Sequence, residues 1–214
     1  MSEDHYMTIA SSTSGLYKEK GSKFLAFAYP VRTEEEFLDQ IDALKKQHPK
    51  ARHFCYAYRL GADQYNFRAN DDGEPSGTAG RPILGAIDSA GLSDVGVVVV
   101  RYFGGTKLGA SGLIQAYKQA ASDALEKVSK KDVYITRSCR LHFNYSHMGI
   151  IMNVLKQLDI EITNKVLTEN PYFTIEIRAS QYEQQIRLIK SYLLNRSPED
   201  INEDTTIPYC TFET

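Results

Sequence analysis

A glycine-rich loop in the middle of the chain is the first place where residue types and spacing could do chemistry. Its sequence is GGTKLGASG, and it lies between the apolar segment DVGVVVVRYF and a stretch with helical periodicity. Glycines let a ligand approach the backbone closely, and the first N–H groups of a helix have no partners inside it. The helix dipole adds about half a positive charge there. These features predict an anion site with the candidate residues Arg101, Gly104, Gly105, Thr106, Lys107, Gly109, Ser111 and Gly112.

The same loop has a second interpretation, in which its glycines serve only the close packing of a strand-to-helix connection. The sequence is not a Walker A loop, because Lys107 precedes the last glycines instead of following GxxxxG, and it does not fit GxGxxG. Arg101 and Lys107 lie on either side of the first glycines, so an anion could be held by side chains and backbone together. Both interpretations remain open from the sequence.

A second polar loop, residues 70–82, reads NDDGEPSGTAGRP. Its carboxylates could hold Mg²⁺, which takes oxygen ligands, or could dock basic residues of a partner. The alternative is a solvated acidic loop in which Ser76 or Thr78 caps the following helix. A carboxylate cluster in one loop is weak evidence for a metal, so we predict no metal ion and no cofactor. The candidate residues of this loop are Asp71, Asp72, Glu74, Ser76, Thr78 and Arg81.

A third set of reactive side chains lies on the segment HFCYAYRL, residues 53–60. His53 and Cys55 are two residues apart, so they share one face of a strand and could form a thiol nucleophile with its base. Nothing nearby suggests an oxyanion hole or an orienting carboxylate, and a small buried cysteine is the common case. We therefore assign no catalytic residue. The alternating aromatic residues Phe54, Tyr56 and Tyr58 are predicted to be core, with base stacking as the alternative.

Composition limits the kinds of partner that the whole molecule can attract. The hydrophobic share is 42%, the charged share is 24% and the formal net charge is −2, as in an ordinary globular protein. Residues 1–136 carry 17 basic and 17 acidic side chains and the remainder carries 8 and 10, which accounts for the totals of 25 and 27. Neither half is the basic module expected of a general nucleic-acid binder. Any contact with a polyanion must therefore come from a local patch.

The sequence also predicts where the protein works. Its three cysteines, Cys55, Cys139 and Cys210, are scattered and show no CxxC spacing, which is typical of a protein in a reducing compartment. The N-terminal residues lack the basic and apolar regions of a signal peptide. The longest apolar run, Val95 to Val100, is far too short to span a bilayer. We expect a cytoplasmic protein with no membrane partner.

The elements that position the two loops can be outlined from residue periodicity. Leu16 to Pro30 reads as two short strands around a turn at Gly21, and a helix follows with Thr33 as its N-cap and Glu36 completing a capping box. The remaining elements predicted in the first half are a strand at 53–60 with a hairpin partner at 65–69, a helix at 81–90, a buried central strand at 94–103 and a helix at about 112–129.

The second half changes character and reads β-α-β-β-α-β, which is the ferredoxin-like arrangement. Its strands are predicted at 138–145, 161–168, 172–179 and 206–212, and its helices at 147–159 and 182–194. The boundary is predicted near Lys130 to Arg137, which gives domains of residues 1–134 and 135–214. The fold class is therefore α+β.

Four sequence blocks in the first domain resemble the N-terminal domain of the IMPACT family. In order they are KGSKFLAFAYPV, HPKARHFCYAYRLG, DDGEPSGTAGRPIL and VVVVRYFGGTKLGASGLIQAY, and they span most of the first 130 residues. The second half is similar, more loosely, to the C-terminal domain of the bacterial YigZ-like, two-domain members. The resemblance implies a ribosomal-protein or elongation-factor-type βαβ fold for the first domain. It also implies a ferredoxin-like second domain similar to the last domain of elongation factor G. One departure is Ala110-Ser111, which stands where many relatives have Thr-Gly.

What the resemblance implies about function is regulation of translation, because eukaryotic members act there through a ribosome-associated partner. The expected partners are RNA, the ribosome or a ribosome-associated protein, contacted through the glycine loop, and a small-molecule substrate is not expected. An enzyme is the alternative: it would act on a phosphate ester, with Asp72 or Glu74 holding Mg²⁺ beside the glycine loop. A third interpretation is a protein–protein regulator with no anion site.

Overall fold

The computed structural model describes residues 4–63 and 65–213 and divides into two compact units. The N-terminal unit runs from His5 to Val133, and the C-terminal unit consists of residue 4 and residues 134–213. Both units mix helices with antiparallel sheets, which confirms the predicted α+β class. In the part of the chain that the structure describes, no helix is long and apolar enough to cross a membrane.

The N-terminal unit is built on a five-stranded sheet with the spatial order β2-β3-β6-β4-β5, in which every neighbouring pair is antiparallel. The strand β6 lies at the centre and its valines are fully buried, as its unbroken apolar sequence predicted. The strands of this unit are β1 (His5–Ile9), β2 (Thr13–Glu19), β3 (Ser22–Pro30), β4 (His53–Leu60), β5 (Asn66–Asn70), β6 (Val95–Tyr102) and β7 (Lys130–Tyr134), the last residue of which, Tyr134, belongs to the C-terminal unit.

Helices cover both faces of this sheet. The helix α1 (Glu34–Gln47) buries Phe37, Ile41 and Leu44 on one face, against the aromatic residues of β4. The helices α2 (Gly80–Ala90) and α3 (Gly109–Leu125) pack against the other face. The predicted stripe Phe54, Tyr56 and Tyr58 is indeed core, because all three side chains are buried.

The start of α1 has the predicted N-cap at Thr33, whereas Glu36 reaches one residue further back than a capping box requires, to Arg32. The Thr33 hydroxyl oxygen accepts a hydrogen bond from the Glu36 N–H at 3.1 Å, and the Glu36 carboxylate accepts one from the Arg32 N–H at 2.8 Å. Each bond satisfies a backbone donor at or just before the first turn that the helix itself leaves unpaired.

The segment predicted as an interdomain connection contains a strand. Residues of β7 pair with β1, so these two strands form a separate two-stranded sheet that residue periodicity did not indicate. The β7 side chains are mostly exposed, with no alternation of apolar residues. Backbone pairing, not side-chain burial, therefore defines this strand.

The C-terminal unit has a four-stranded antiparallel sheet with the order β11-β8-β10-β9. This order, with both helices packed on one face, is the predicted ferredoxin-like arrangement. A 3₁₀ turn at Tyr145–His147 precedes the first of those helices. The Ser146 hydroxyl contacts the His147 ring and does not cap the helix. The elements are β8 (Thr136–Phe143), α4 (Met148–Gln157), β9 (Ile162–Val166), β10 (Tyr172–Arg178), α5 (Tyr182–Leu194) and β11 (Cys210–Glu213).

The pairing of β7 with β1 leads to a prediction about where the chain can be cut. A fragment of residues 1–134 should fold alone, whereas residues 1–128 should be less stable by about 1–2 kcal/mol, since each lost backbone hydrogen bond contributes roughly 1 kcal/mol net. Circular dichroism and chemical denaturation of both fragments measure this. An unfolded 1–134 fragment would show that the N-terminal unit is not an independent domain.

Candidate functional site

The glycine loop and the acidic loop lie at the same end of the five-stranded sheet. The central strand β6 ends at Tyr102, immediately before the glycine loop, and the antiparallel strand β4 begins beside it at His53. The His53 ring nitrogen Nδ1 lies 2.9 Å from the backbone oxygen of Asp72 in the acidic loop. The His48 ring, at the end of α1, contacts the Tyr102 hydroxyl at 2.9 Å. Several loops of the unit therefore converge on one edge.

The β2–β3 turn completes this edge because it packs directly on the glycine loop. The Gly104 N–H donates a hydrogen bond to the Ser22 hydroxyl at 3.1 Å. A Cβ on Gly104 would lie 1.9 Å from the carbonyl carbon of Gly21 and 2.2 Å from the Ser22 nitrogen. Gly104 is therefore required for close packing, as one of the two interpretations of the loop holds. Gly105 differs, since its φ is +89° and nothing lies near the position of a Cβ.

The two cations of the glycine loop lie in different environments. Lys107 is exposed, whereas Arg101 is only 6% exposed. The Arg101 guanidinium donates to the Glu74 carboxylate at 2.5 Å and lies against the rings of Phe24 and Phe103. Arg101 thus joins the two loops from beneath, and its charge is paired with a side chain of the acidic loop.

The other exposed members of the glycine loop surround the start of α3. Thr106, Gly109 and Ser111 are exposed, and Gly112 lies in the first turn, where a Cβ would contact Leu108. No side chain caps this helix within the described residues, because Leu108 stands at the N-cap position. The first N–H groups of α3 therefore face the loop without a side-chain acceptor.

Asp71 organises the acidic loop through its carboxylate. It accepts hydrogen bonds from the N–H groups of Gly77, Ala79 and Gly80 at 2.8–2.9 Å, the last two at the start of α2. The expectation that Ser76 or Thr78 caps this helix is wrong, since the Thr78 hydroxyl donates to the Pro75 carbonyl and Ala79 is the N-cap. Burial opposes ionisation of Asp71, but the three N–H donors outweigh it, so its pKa is lowered.

The remaining carboxylates of the acidic loop are also engaged inside the fold. Asp72 accepts from the Phe54 N–H at 2.6 Å, and Glu74 accepts from both Arg101 and the Tyr117 hydroxyl. Among the residues described, no group of three His, Cys, Asp or Glu side chains could hold a metal ion. Ser76 and Arg81 are exposed at the loop surface. These carboxylates act as acceptors for the protein's own donors.

Cys55 lies beneath the acidic loop and belongs to a series of buried hydrogen bonds. Its sulfur is 3.0 Å from the Asp71 carbonyl oxygen and 3.3 Å from the Tyr117 hydroxyl, which in turn donates to Glu74. Burial raises the pKa of the Cys55 thiol well above its ordinary value. A reactive cysteine needs the opposite shift. The Cys55 thiol serves packing and hydrogen bonding.

The lowered pKa of Asp71 predicts a pH dependence of stability. Asp71→Ala should cost about 1–2 kcal/mol at neutral pH, the usual effect of losing a helix cap. Because the folded pKa lies below the unfolded value of about 3.9, the contribution of Asp71 is complete above that pH and is lost as pH falls through the folded value. Urea denaturation of both proteins from pH 7 to pH 3 measures it. The difference between them should shrink below about pH 4, and a difference that grew in acid would contradict this assignment.

A basic surface at this same edge was not predicted from the sequence. The β2–β3 turn, the end of α1, the connection to β4 and the glycine loop each contribute exposed cations, and we call this surface the basic end. Lys45 is 3.7 Å from Asp42, within its own helix. The basic end consists of Lys18, Lys20, Lys23, Lys45, Lys46, Lys50, Arg52 and Lys107, all of them exposed.

Acidic side chains collect at the opposite end of the same unit. The first turn of α1 carries Glu34, Glu35 and Glu36, and the β4–β5 turn carries Asp63. The N-terminal unit is thus polarised along its strands, although its net charge is near zero. Such polarity produces a local attraction for anions that a whole-chain count conceals.

Comparisons with known proteins assign the chain to a family. Residues 20–125 match the model of the Impact N-terminal domain. The chain is 37% identical to the IMPACT family member YvyE of Bacillus subtilis (strain 168), over 78% of this chain and 77% of YvyE. It is 33% identical to the IMPACT family member YigZ of Escherichia coli (strain K12), over 68% of this chain and 72% of YigZ.

A similar fold has been solved over nearly the whole length. A crystal structure described as that of a hypothetical protein has a TM-score of 0.72 and 26% sequence identity, and the alignment covers 94% of this chain and 99% of that chain. The sequence matches and this fold, together with the glycine loop and acidic loop that join at one sheet edge, lead to one conclusion. The chain belongs to the IMPACT family.

Proposed function

We propose that this protein is a translation-associated binding protein whose basic end contacts RNA phosphate groups, on the ribosome or on RNA bound there. The observation that carries the proposal is the convergence of eight exposed cations from four chain segments on one edge of the sheet. Lysine and arginine side chains supply most of the sequence-independent affinity of proteins for nucleic acids. The link to translation rests on the role that the family resemblance implies.

The glycine loop contributes to this surface in two ways. Lys107 adds an exposed cation, and the first N–H groups of α3 add donors that favour an anion. Arg101 has a supporting role, because its pair with Glu74 holds the acidic loop against the end of β6. The surface cations are therefore the phosphate contacts, and the buried pair fixes the loops that carry or flank them.

No contact in the described part of the chain favours the alternative of a magnesium-dependent enzyme. The carboxylates that would bind Mg²⁺ are Asp72 and Glu74, and both accept hydrogen bonds from donors of the same unit. An exposed surface with dispersed cations fits a long polyanion better than a small phosphate ester, which needs a concave pocket.

Co-sedimentation with ribosomes tests the proposal. The wild-type protein should pellet with ribosomes at low salt and dissociate as salt rises, because counterion release dominates such binding. The double variant Lys20→Ala/Lys107→Ala should dissociate at lower salt than the wild type, because it has lost two of the eight cations. The matched control is Arg32→Ala/Lys131→Ala, which removes the same charge from exposed positions at the other end of the unit.

Two outcomes would overturn the proposal. One is equal pelleting of the two double variants, which would show that position is irrelevant. The other is binding that survives when the ribosomal proteins are supplied without ribosomal RNA. That result would identify an acidic protein surface as the partner.

A further inference from the structure

The sheet of the C-terminal unit has one face covered by helices and one face open. The covered face contributes Leu141, Phe173 and Ile175 to the core beneath α4 and α5. Alternate residues of β8 and β10 point the other way, and several of them are exposed. The cross-strand pairs of the open face are Tyr172–His142, Thr174–Arg140, Glu176–Ser138 and Arg178–Thr136.

Aromatic rings and guanidinium groups are paired on this open face. The ring centroids of His142 and Tyr172 are 5.0 Å apart, and the Arg140 guanidinium lies 5.5 Å from the Tyr172 ring. At the far end of β10, the Arg178 guanidinium lies 3.5 Å from the centroid of Tyr134. Aromatic rings with adjacent guanidinium groups form surfaces on which nucleobases stack while phosphates are neutralised.

The charge balance of the face fits a single strand better than a duplex. The carboxylate of Glu213 on β11 is 2.8 Å from the His142 ring and 3.7 Å from Arg140, so part of the positive charge is already neutralised. A face of this kind attracts backbone phosphate weakly, and base stacking must supply a large share of the affinity. Bases are available for stacking in single strands, loops and bulges.

The face continues into a pocket of about 310 Å³ at the end of β8. Its lining includes His142, the half-exposed Tyr145 and Tyr209. From Tyr172 to Arg178 the strand advances about 20 Å, at roughly 3.4 Å per residue. RNA-recognition sheets of four strands stack two or three bases on aromatic residues of the sheet.

We propose that this open face binds single-stranded RNA, with Tyr172 and His142 stacking bases and Arg140 and Arg178 contacting phosphates. The choice of RNA as ligand rests on the proposed function, while the site itself is a second one, in the other unit. The two sites contribute to the RNA affinity through different interactions. The eight cations at the basic end set most of the salt dependence, to which Arg140 and Arg178 add less, whereas the rings of the open face set a salt-independent part of the affinity.

The test is fluorescence anisotropy of the full chain with a labelled 12-nucleotide oligouridine at several salt concentrations. Tyr172→Leu removes the aromatic ring but keeps apolar bulk, and it should weaken binding about tenfold, the order expected for loss of one stacked base. The slope of log affinity against log salt should not change, because no phosphate contact is lost. Tyr172→Phe keeps the ring and should bind as the wild type does.

The matched control is Tyr192→Leu, which makes the same change at an exposed tyrosine on α5, on the covered side of the sheet. Equal affinities of Tyr172→Leu and Tyr192→Leu for RNA would overturn this inference without affecting the function proposed for the basic end. Equal salt slopes for the wild type and Lys20→Ala/Lys107→Ala, with Tyr172→Leu still weak, would overturn the proposed function alone.

Discussion

Replacing Glu74 with alanine should lower the free energy of unfolding of the N-terminal unit by about 3–5 kcal/mol, the range for breaking a buried ion pair from one side. The side chains of Glu74 and Arg101 are only 4% and 7% exposed. Without the carboxylate, the Arg101 guanidinium stays enclosed between Phe24 and Phe103 with its charge uncompensated. The Tyr117 hydroxyl loses its acceptor as well.

Urea denaturation followed by circular dichroism measures this effect, with two matched controls. Glu34→Ala breaks the exposed pair with Arg68 in the same unit and should cost about 1 kcal/mol or less. The double variant Glu74→Leu/Arg101→Met removes both charges and should recover much of the loss, since apolar replacement of a buried pair is often neutral. A single Glu74→Ala effect no larger than that of Glu34→Ala would contradict the assigned role of the pair.

Gly104→Ala is the second substitution for which we expect a large effect, of about 3 kcal/mol, at the upper end of the usual range for overpacking. The new Cβ would meet backbone atoms of Gly21 and Ser22, and backbone cannot move aside as a flexible side chain can. The β2–β3 turn must then separate from the glycine loop. Because this turn carries Lys20, RNA affinity should fall together with stability.

Gly105→Ala is the matched control for that substitution. Its φ of +89° adds strain of about 1–2 kcal/mol, but the Cβ itself meets nothing within 4 Å. Melting temperatures and RNA affinities of the two variants should therefore differ, with Gly104→Ala lower in both. If Gly105→Ala proved the more damaging, backbone conformation and not close packing would be what the loop requires.

The sequence predicted the elements best where periodicity and capping agreed. Thr33 and Glu36 marked the start of α1, and the valines of β6 marked the central strand, because burial of both faces leaves an unbroken apolar run. The strands β1 and β7 were missed for the opposite reason. Their pairing is made by backbone groups, and the side chains of β7 show no alternation.

The sequence identified the two candidate loops but not the contacts that their residues make. The two loops were identified from glycine, proline and carboxylate content, and the structure brings them to one edge. Local sequence does not show that Glu74 reaches Arg101, because 27 positions separate them and only the register of β4 and β6 brings them together. Asp71 was likewise read as a surface carboxylate, although its partners are N–H groups six to nine residues ahead.

The basic end is not visible in the charge totals of the two halves of the chain, because basic and acidic residues are equal in number in the first half. Its signal is present in the segments KEKGSK and KKQHPKAR, each of which places cations at a turn or just before a strand. Only the strand order shows that the hairpin turn after β2 and the start of β4 lie at the same edge of the antiparallel sheet. Topology therefore supplied the information that composition lacked.

The salt dependence of RNA binding tests the central claim most directly. Fluorescence anisotropy with single-stranded RNA should give a linear fall of log affinity with log salt for the wild-type chain. For Lys20→Ala/Lys107→Ala the magnitude of the slope should decrease by about 1.4, since each phosphate contact to a single strand contributes roughly 0.7. Arg32→Ala/Lys131→Ala, with the same net charge, should keep the wild-type slope. Identical slopes for the two double variants would contradict the assignment of the basic end as the RNA contact.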